Sequence, residues 1–383
     1  MAVRILHLAD IHLGAVQKFL PAEKQEIRTE EIYKSFADLI NSILEKHPQP
    51  DAILISGDLF DSPLPETSLL TKVENLFKNI ANANIPVILI PGNHDNIITP
   101  NSVYRKVNFP GVFPLLMPTI KEPLELNLQG ELFHFYGMAY SFLSRLPFDE
   151  FRPINPDAHN IALIHGSLTG HAGWQIHSQD VPLNKSNLFK TGFDYIALGH
   201  YHDFQHYMGN GTHIVYPGSL EPLNWTEEAS RKVVFIEFGD NGLTIKTENF
   251  GFQRKFYKTI KLDASQFSFK SSKDIADYVI SNYGNENYLL RIILAGPIEF
   301  VIDTRKIEAI CQSRFFYVRV EDHTTINTPE NMERYQQEDT IRGLVVRKLL
   351  HRIKKTENEE ENANSREALK ILMSYFSMNK DGE

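Results

Sequence analysis

The stretch VILIPGNHDNI, residues 87–97, runs from an apolar segment through a Pro-Gly turn into Asn93, His94 and Asp95. A segment this apolar belongs in a core, so three polar side chains at its end need a common purpose. Four further apolar runs of strand length repeat the pattern: Val3 to Ala9, Ala52 to Ile55, Asn160 to Ile164 and Tyr195 to Leu198. Runs so uniformly apolar predict strands covered on both faces. They continue as ADIHLG, GD, HG and GHYH, so five strands lead into Asp10 and His12, Asp58, Asn93 and His94, His165, and His200 and His202. Between them EEIYKSFADLINSILEKH (30–47) and SLLTKVENLFKNIANAN (68–84) place their apolar residues on one helical face. The alternation predicts an α/β layered domain.

In such a sheet, strand ends of one polarity meet at one edge, where ligands bind. Asp10 and His12 are two apart, as are His200 and His202, which in extended backbone puts each pair on one side. Glycines at 14, 57, 92, 166 and 199 let the chain bend and leave room. Asp, His and an Asn amide form a borderline-hard donor set suited to Mn²⁺, Fe²⁺ or Zn²⁺. Seven ligands exceed one ordinary site. They match two metals about 3.5–4 Å apart sharing a carboxylate, which clamps the attacking and leaving oxygens of a phosphoryl displacement.

The rest of the chain adds appendages. Asn210-Gly211 and Asp240 to Gly242 mark two hairpins, within 205–216 and 232–250, read as closing strands of the same core. Residues 257–321 read strand, helix, strand, helix, strand. The 254–322 window holds 11 Lys and Arg against 9 Asp and Glu, a mildly basic segment in a chain of net charge −9. Beyond a linker at 323–334, IRGLVVRKLLHRIKK is an amphipathic helix with six Lys and Arg and no acid. The acidic TENEEENANS is expected to be a flexible connector, with Asn364 capping a last helix, REALKILMSYF.

The 42% hydrophobic content supplies a large core, and no window approaches the roughly 18 apolar residues of a membrane span. A single cysteine, Cys311, and an N-terminus without a signal-peptide pattern make a cytoplasmic location the expectation. His171 and His177 read as plain loop residues, and His206 and His213 as hairpin residues. Asp61 either caps the turn before Pro63 or serves the site.

Together D-x-H, GD-x-x-D, GNHD, HG and GH-x-H, in this order, resemble the calcineurin-like metallophosphoesterase superfamily. LHLADIHLG, LISGDLFDSPLPE, IPVILIPGNHD and YPGSLEPLNWTEE are similar to the SbcD family, the nuclease component of the bacterial SbcCD complex, over roughly residues 3–255. The resemblance implies a layered β-sandwich flanked by helices (1–256), a small α+β DNA-binding cap (257–322), the linker, and a C-terminal helical tail (335–383). It implies two Mn²⁺, with Mg²⁺, Fe²⁺ or Zn²⁺ as substitutes: Asp10, His12 and His202 on one, Asn93, His165 and His200 on the other, and Asp58 bridging. His94 would be catalytic beside the ligands, and Asp95 would orient it from behind. Archaeal relatives can carry histidine at the position of Asp61, whereas bacterial ones resemble this chain.

The resemblance further implies an exonuclease and endonuclease acting on double-strand ends and hairpins in DNA repair, recombination and replication. It implies a homodimer, joined through 66–84 and 98–107, within a heterotetramer with an SbcC-type coiled-coil ATPase. The tail would grip that ATPase, its apolar faces lacking a nearby core; a solvated helix and a membrane-surface helix are the competing readings. A phosphomonoesterase or cyclic-nucleotide phosphodiesterase on the same core is the main rival. A scaffold with a vestigial site is disfavoured because no ligand position is lost.

Overall fold

A computed structural model describes residues 2–120, 122–140, 151–169, 181–240, 242–298, 300, 302–326, 333, 335–356 and 358–378. His171 and His177 lie outside the described residues. The chain divides into two compact units, Met1–Arg254 and Lys255–Glu383.

The first unit holds two six-stranded sheets. One has the order Gly242–Asn249, Lys232–Gly239, Val3–Leu8, Ala52–Ser56, Val87–Ile90 and Val112–Pro114; the other runs Gln205–Gly209, Thr212–Tyr216, Tyr195–Gly199, His159–His165, Glu131–Met138 and Leu124–Leu128. The central strands of each are parallel; hairpins close both edges of the second sheet and one edge of the first, whose other edge is the parallel strand Val112–Pro114. Strand alternation divides the side chains cleanly. Leu6, Leu8, Ile53, Ile55, Val87 and Leu89 face the helices Ala22–Glu45 and Thr67–Asn82, meeting Ile32, Phe36, Ile40, Val73, Phe77 and Ile80. Val3, Ile5, Leu54, Ile88 and Ile90 point the other way, into a core shared with Phe133, Phe135, Ile161, Leu163 and Tyr195 of the second sheet. That sheet's outer face is covered by Phe151, Leu183, Leu188 and Phe193. Each fully buried aliphatic side chain contributes roughly 1.5–3 kcal/mol by leaving water. A helix-covered β-sandwich therefore fixes five strand ends rigidly.

The second unit is a parallel three-stranded sheet, Phe256–Asp263, Asn285–Ile298 and Phe315–Ile326, connected by the helices Ser272–Tyr283 and Thr304–Cys311. Helix crossovers are what parallel neighbours require, so strands and helices alternate here rather than segregate. Two later helices, Ile341–Lys355 and Glu359–Met378, place Val346 and Leu369 in the same apolar cluster as Ile292, Ile307 and Val320. The tail thus has a core of its own to join, correcting the premise that its apolar faces lack one. The acidic connector is also corrected: helix begins at Glu359, and Asn364 lies inside it. Asn358 accepts from the Glu360 and Glu361 amides at 2.9 and 3.2 Å, and Glu359, Glu360 and Glu361 meet the positive end of the helix dipole.

Candidate metal centre

The loops after the first two strands run side by side, the amides of Asp10, His12 and Leu13 donating to the carbonyls of Gly57, Asp58 and Leu59 at 2.9–3.1 Å. Asp10, His12 and Asp58 have φ of 52°, 51° and 53°, and His200 has 110°. These values correct the expectation that spacing of two in extended backbone aligns the pairs: left-handed turns do so. Such backbone costs on the order of 1–3 kcal/mol per residue and persists where surrounding structure enforces it. Gly57 is part of that enforcement, with φ +97° and a position where a Cβ would sit 2.2 Å from His165 Nδ1. At Gly92 and Gly199 the requirement is space, since a Cβ would meet Asp58 Oδ1 at 2.2 Å and the Ser56 carbonyl at 2.1 Å.

The structure brings the seven sequence-predicted ligands together. Asp10, His12 and His202 form one cluster, with His12 Nε2 and His202 Nε2 3.2 Å apart. Asn93 Oδ1 lies 2.8 Å from His165 Nε2 and 3.3 Å from His200 Nδ1, forming a second. Asp58 Oδ2 stands between them, 3.7 Å from His12 Nε2 and 3.3 Å from His165 Nε2. Backbone amides brace the carboxylates: His200 N donates to both oxygens of Asp10 at 2.9 and 3.0 Å, and His94 N donates to Asp58 Oδ1 at 2.9 Å.

The donor chemistry fits two cations. His12 Nδ1 faces Asp61 at 3.0 Å, His202 Nδ1 faces Glu227 at 2.9 Å, and His165 Nδ1 faces the Ser56 carbonyl at 3.0 Å. Those partners only accept, so each Nδ1 carries the proton and each Nε2 of a neutral ring offers a lone pair inward, the outer-shell pattern of metal-binding histidines. Two such lone pairs facing each other beside Asp10 call for a cation between them. Burial works against charge on His165 and His202, but Asp58 with Asp10, and Glu227 with Asp10, push them up to about 10 and about 9. Burial would likewise raise Asp58, yet His165, His12 and His94 hold it well below the ordinary carboxylate range.

His94 differs from the ligands. Its side chain is 43% exposed, against 2% for His12 and 1% for His165. Its Nδ1 lies 3.2 Å from Asp61 Oδ1, and that hydrogen bond, opposed by burial, lifts the imidazole to about 9. His12, Asp61 and His94 also lie close enough to suggest a third cation position. Asp61 is already engaged by the Nδ1 atoms of both rings, so the trio is a hydrogen-bonded group. Asp95 requires a correction: it does not stand behind His94. Its oxygens accept from Gly92 N (2.7 Å), Phe60 N (3.1 Å) and the Tyr104 hydroxyl (2.5 Å), tying the GNHD turn to the Asp58 loop. Burial pushes Asp95 up to about 6. Asp61 is the carboxylate that orients His94.

Sequence reasoning misses Glu227 and Ser56. Glu227 lies within YPGSLEPLNWTEE, and its buried position is what distinguishes it from the exposed Glu228 beside it. The same segment supplies Glu221, buried and bonded to Arg28 and Ser35 at 3.0 and 2.6 Å, which ties it to the first helix. His206 and His213 pair with each other at 3.1 Å, away from the cluster.

Two cation positions sharing a carboxylate define a dimetal phosphoesterase centre. Residues 3–204 match the family of calcineurin-like phosphoesterases, and the chain belongs to it. It is accordingly a metal-dependent phosphoester hydrolase. Among its relatives, the DNA double-strand break repair protein Mre11 of Saccharolobus solfataricus is 25% identical over 77% of this chain and 75% of its own. An uncharacterized metallophosphoesterase of Bacillus subtilis, YhaO, is 25% identical over 62% and 57%. The SbcD component of nuclease SbcCD from Escherichia coli is 27% identical over 64% and 68%.

Proposed function

We propose that this chain is the nuclease component of a DNA double-strand-break repair and recombination complex, cutting phosphodiester bonds at duplex ends and in hairpins with two Mn²⁺. The observation that carries the reading is the dimetal arrangement with His94 beside it, in a chain whose relatives include proteins named for break repair and as SbcCD nuclease. Asp10, His12 and His202 would hold one cation and Asn93, His165 and His200 the other, with Asp58 shared. Bound cations supply charge to the transferring phosphoryl group and its attacking and leaving oxygens. His94, kept protonated by Asp61 and open to solvent, donates to the leaving oxygen.

The appendages fit the same reading. Residues 257–322 serve as the DNA-facing cap. The tail at 335–383 binds a coiled-coil ATPase of SbcC type, within a heterotetramer built on a homodimer in the cytoplasm. Exposed apolar residues remain on both tail helices after their own packing, Ile341 at 83%, Leu344 at 47% and Ile371 at 57%. Among the described residues no helix is long and apolar enough to cross a membrane.

Purified protein with Mn²⁺ is to be offered linear duplex, a hairpin, a small phosphodiester and a phosphomonoester, with and without the ATPase. Cleavage of both DNA forms supports the proposal; hydrolysis of monoesters alone overturns it in favour of the phosphomonoesterase. The double variant Ile341→Glu, Ile371→Glu should lose ATPase co-purification while keeping basal cleavage. Unchanged co-purification removes the tail from the interface.

A further inference from the structure

His202 is one of the two histidines whose Nε2 atoms face each other, and what fixes its ring is a loop remote from it in sequence. Glu227 is 4% exposed, and its two oxygens have separate tasks. Oε2 accepts from Leu223 N at 3.1 Å, closing the loop on itself. Oε1 accepts from His202 Nδ1 at 2.9 Å and from the Asn224 amide. Arg231, also buried, donates to the Glu227 carbonyl at 2.9 Å, to the Ala229 carbonyl at 3.1 Å and to the His202 carbonyl at 2.6 Å. One guanidinium thus holds both the carboxylate's backbone and the histidine's backbone.

We infer that Glu227 is a positioning residue for one cation only: it fixes the His202 tautomer so that Nε2 completes the position shared with Asp10 and His12. A carboxylate can only accept from Nδ1, so the proton stays there and the lone pair stays at Nε2. The Asn93, His165 and His200 position takes its orientation from the Ser56 carbonyl instead. The carboxylate of Glu227 spends its hydrogen bonds on His202 and on its own loop, so the two positions respond separately. A carboxylate buried merely to pair with Arg231 would not discriminate between them.

This inference rests on the assignment of His202 to one of two cation positions, and the test separates the two. Mn²⁺ binding to the full chain is measured by equilibrium dialysis and electron paramagnetic resonance, which counts bound ions and detects spin-coupled pairs. Wild type should bind two coupled Mn²⁺. Glu227→Gln, which preserves shape, should weaken one ion by roughly 10- to 100-fold and leave the other unchanged, so that at intermediate Mn²⁺ the coupled signal gives way to a single-ion signal. Glu227→Asp should recover part of the affinity. Glu221→Gln, altering the same loop's other buried carboxylate, should lower the melting temperature and leave both ions bound. Wild type binding fewer than two ions overturns the His202 assignment. Two ions in wild type, with both or neither weakened in Glu227→Gln, overturns the role of Glu227 alone; circular dichroism of the metal-free variant reports whether it folds.

Discussion

Both units use parallel strands joined by helices, and both put aspartates at or near strand ends, yet only the first gathers them. In the second unit Asp263 accepts from Ser265, Asp322 from Thr324 and Asp303 from the Lys306 amide, all within three residues along the chain. Asp263 and Asp303 cap local turns, Asp322 lies within its strand, and all three remain in contact with water. In the first unit Asp10, Asp58 and Asp95 are buried and accept from His200, His94 and Phe60, groups distant in sequence. All seven non-glycine residues of positive φ among the described residues fall in the first unit, four of them at sequence-predicted ligands. A polar residue at a strand end is therefore common; burial, long-range bracing and enforced backbone conformation distinguish the functional ones.

The largest test of this contrast is His94→Ala. Loss of a positioned proton donor should lower the DNA cleavage rate by roughly 10²- to 10⁴-fold, while both Mn²⁺ remain bound. Retained cleavage would return His94 to the status of the turn-capping aspartates in the second unit.

A matched pair of glycines comes next. Gly57 and Gly296 both have positive φ, +97° and +86°, and an added Cβ would lie 2.2 Å from His165 Nδ1 and 2.3 Å from Asp263 Oδ1. Gly57→Ala should cost about 2–5 kcal/mol from backbone strain and overlap with the buried His165 ring, and Gly296→Ala about 1–2 kcal/mol, chiefly from strain, because the exposed Asp263 carboxylate can swing aside. Only Gly57→Ala should also abolish binding of the cation held by His165, read by dialysis and thermal melts. Loss of cation in Gly296→Ala would erase the distinction between the units.

Much of the first unit is legible in the sequence because its strands are apolar on both faces and its ligands sit directly after them. The hairpin Leu124–Leu128 with Glu131–Met138 is not. Its strands form one edge of the second sheet, where Glu125, Asn127 and Glu131 interrupt the apolar pattern. The ligand set is legible as motifs, but its geometry is not: extended spacing is the wrong reason for convergence, since φ at Asp10 and His12 depends on tertiary bracing. Asp95 is misplaced by sequence reasoning for a related reason. Adjacency to His94 says nothing of direction, and the Tyr104 hydroxyl and two amides claim its oxygens. The helix from Glu359 is hidden by acidic composition that resembles a linker until the first-turn glutamates are set against the helix dipole.

The smallest expected effect concerns His7, on the face of the first strand that points between the two sheets. It is fully buried, bonded to the Tyr195 hydroxyl at 2.8 Å and the Ser56 hydroxyl at 2.7 Å, and burial lowers its pKa to about 3. No buried histidine occurs among the described residues of the second unit. The unfolded chain protonates His7 near pH 6.5 and the folded chain only near 3, so between these values the unfolded state binds more protons and stability falls as pH falls. Other histidines titrate too, with His94, His165 and His202 raised and thus acting in the opposite sense, so the readout is wild type minus His7→Gln in metal-free buffer. At pH 7 the variant should be the less stable through its altered buried hydrogen bonds. That deficit should shrink by about 2 kcal/mol on going to pH 5, measured as the difference in denaturation free energy of the first unit. A deficit independent of pH would mean that His7 takes a proton in the folded state, and that the space between the sheets is as tolerant of charge as the exposed strand ends of the second unit.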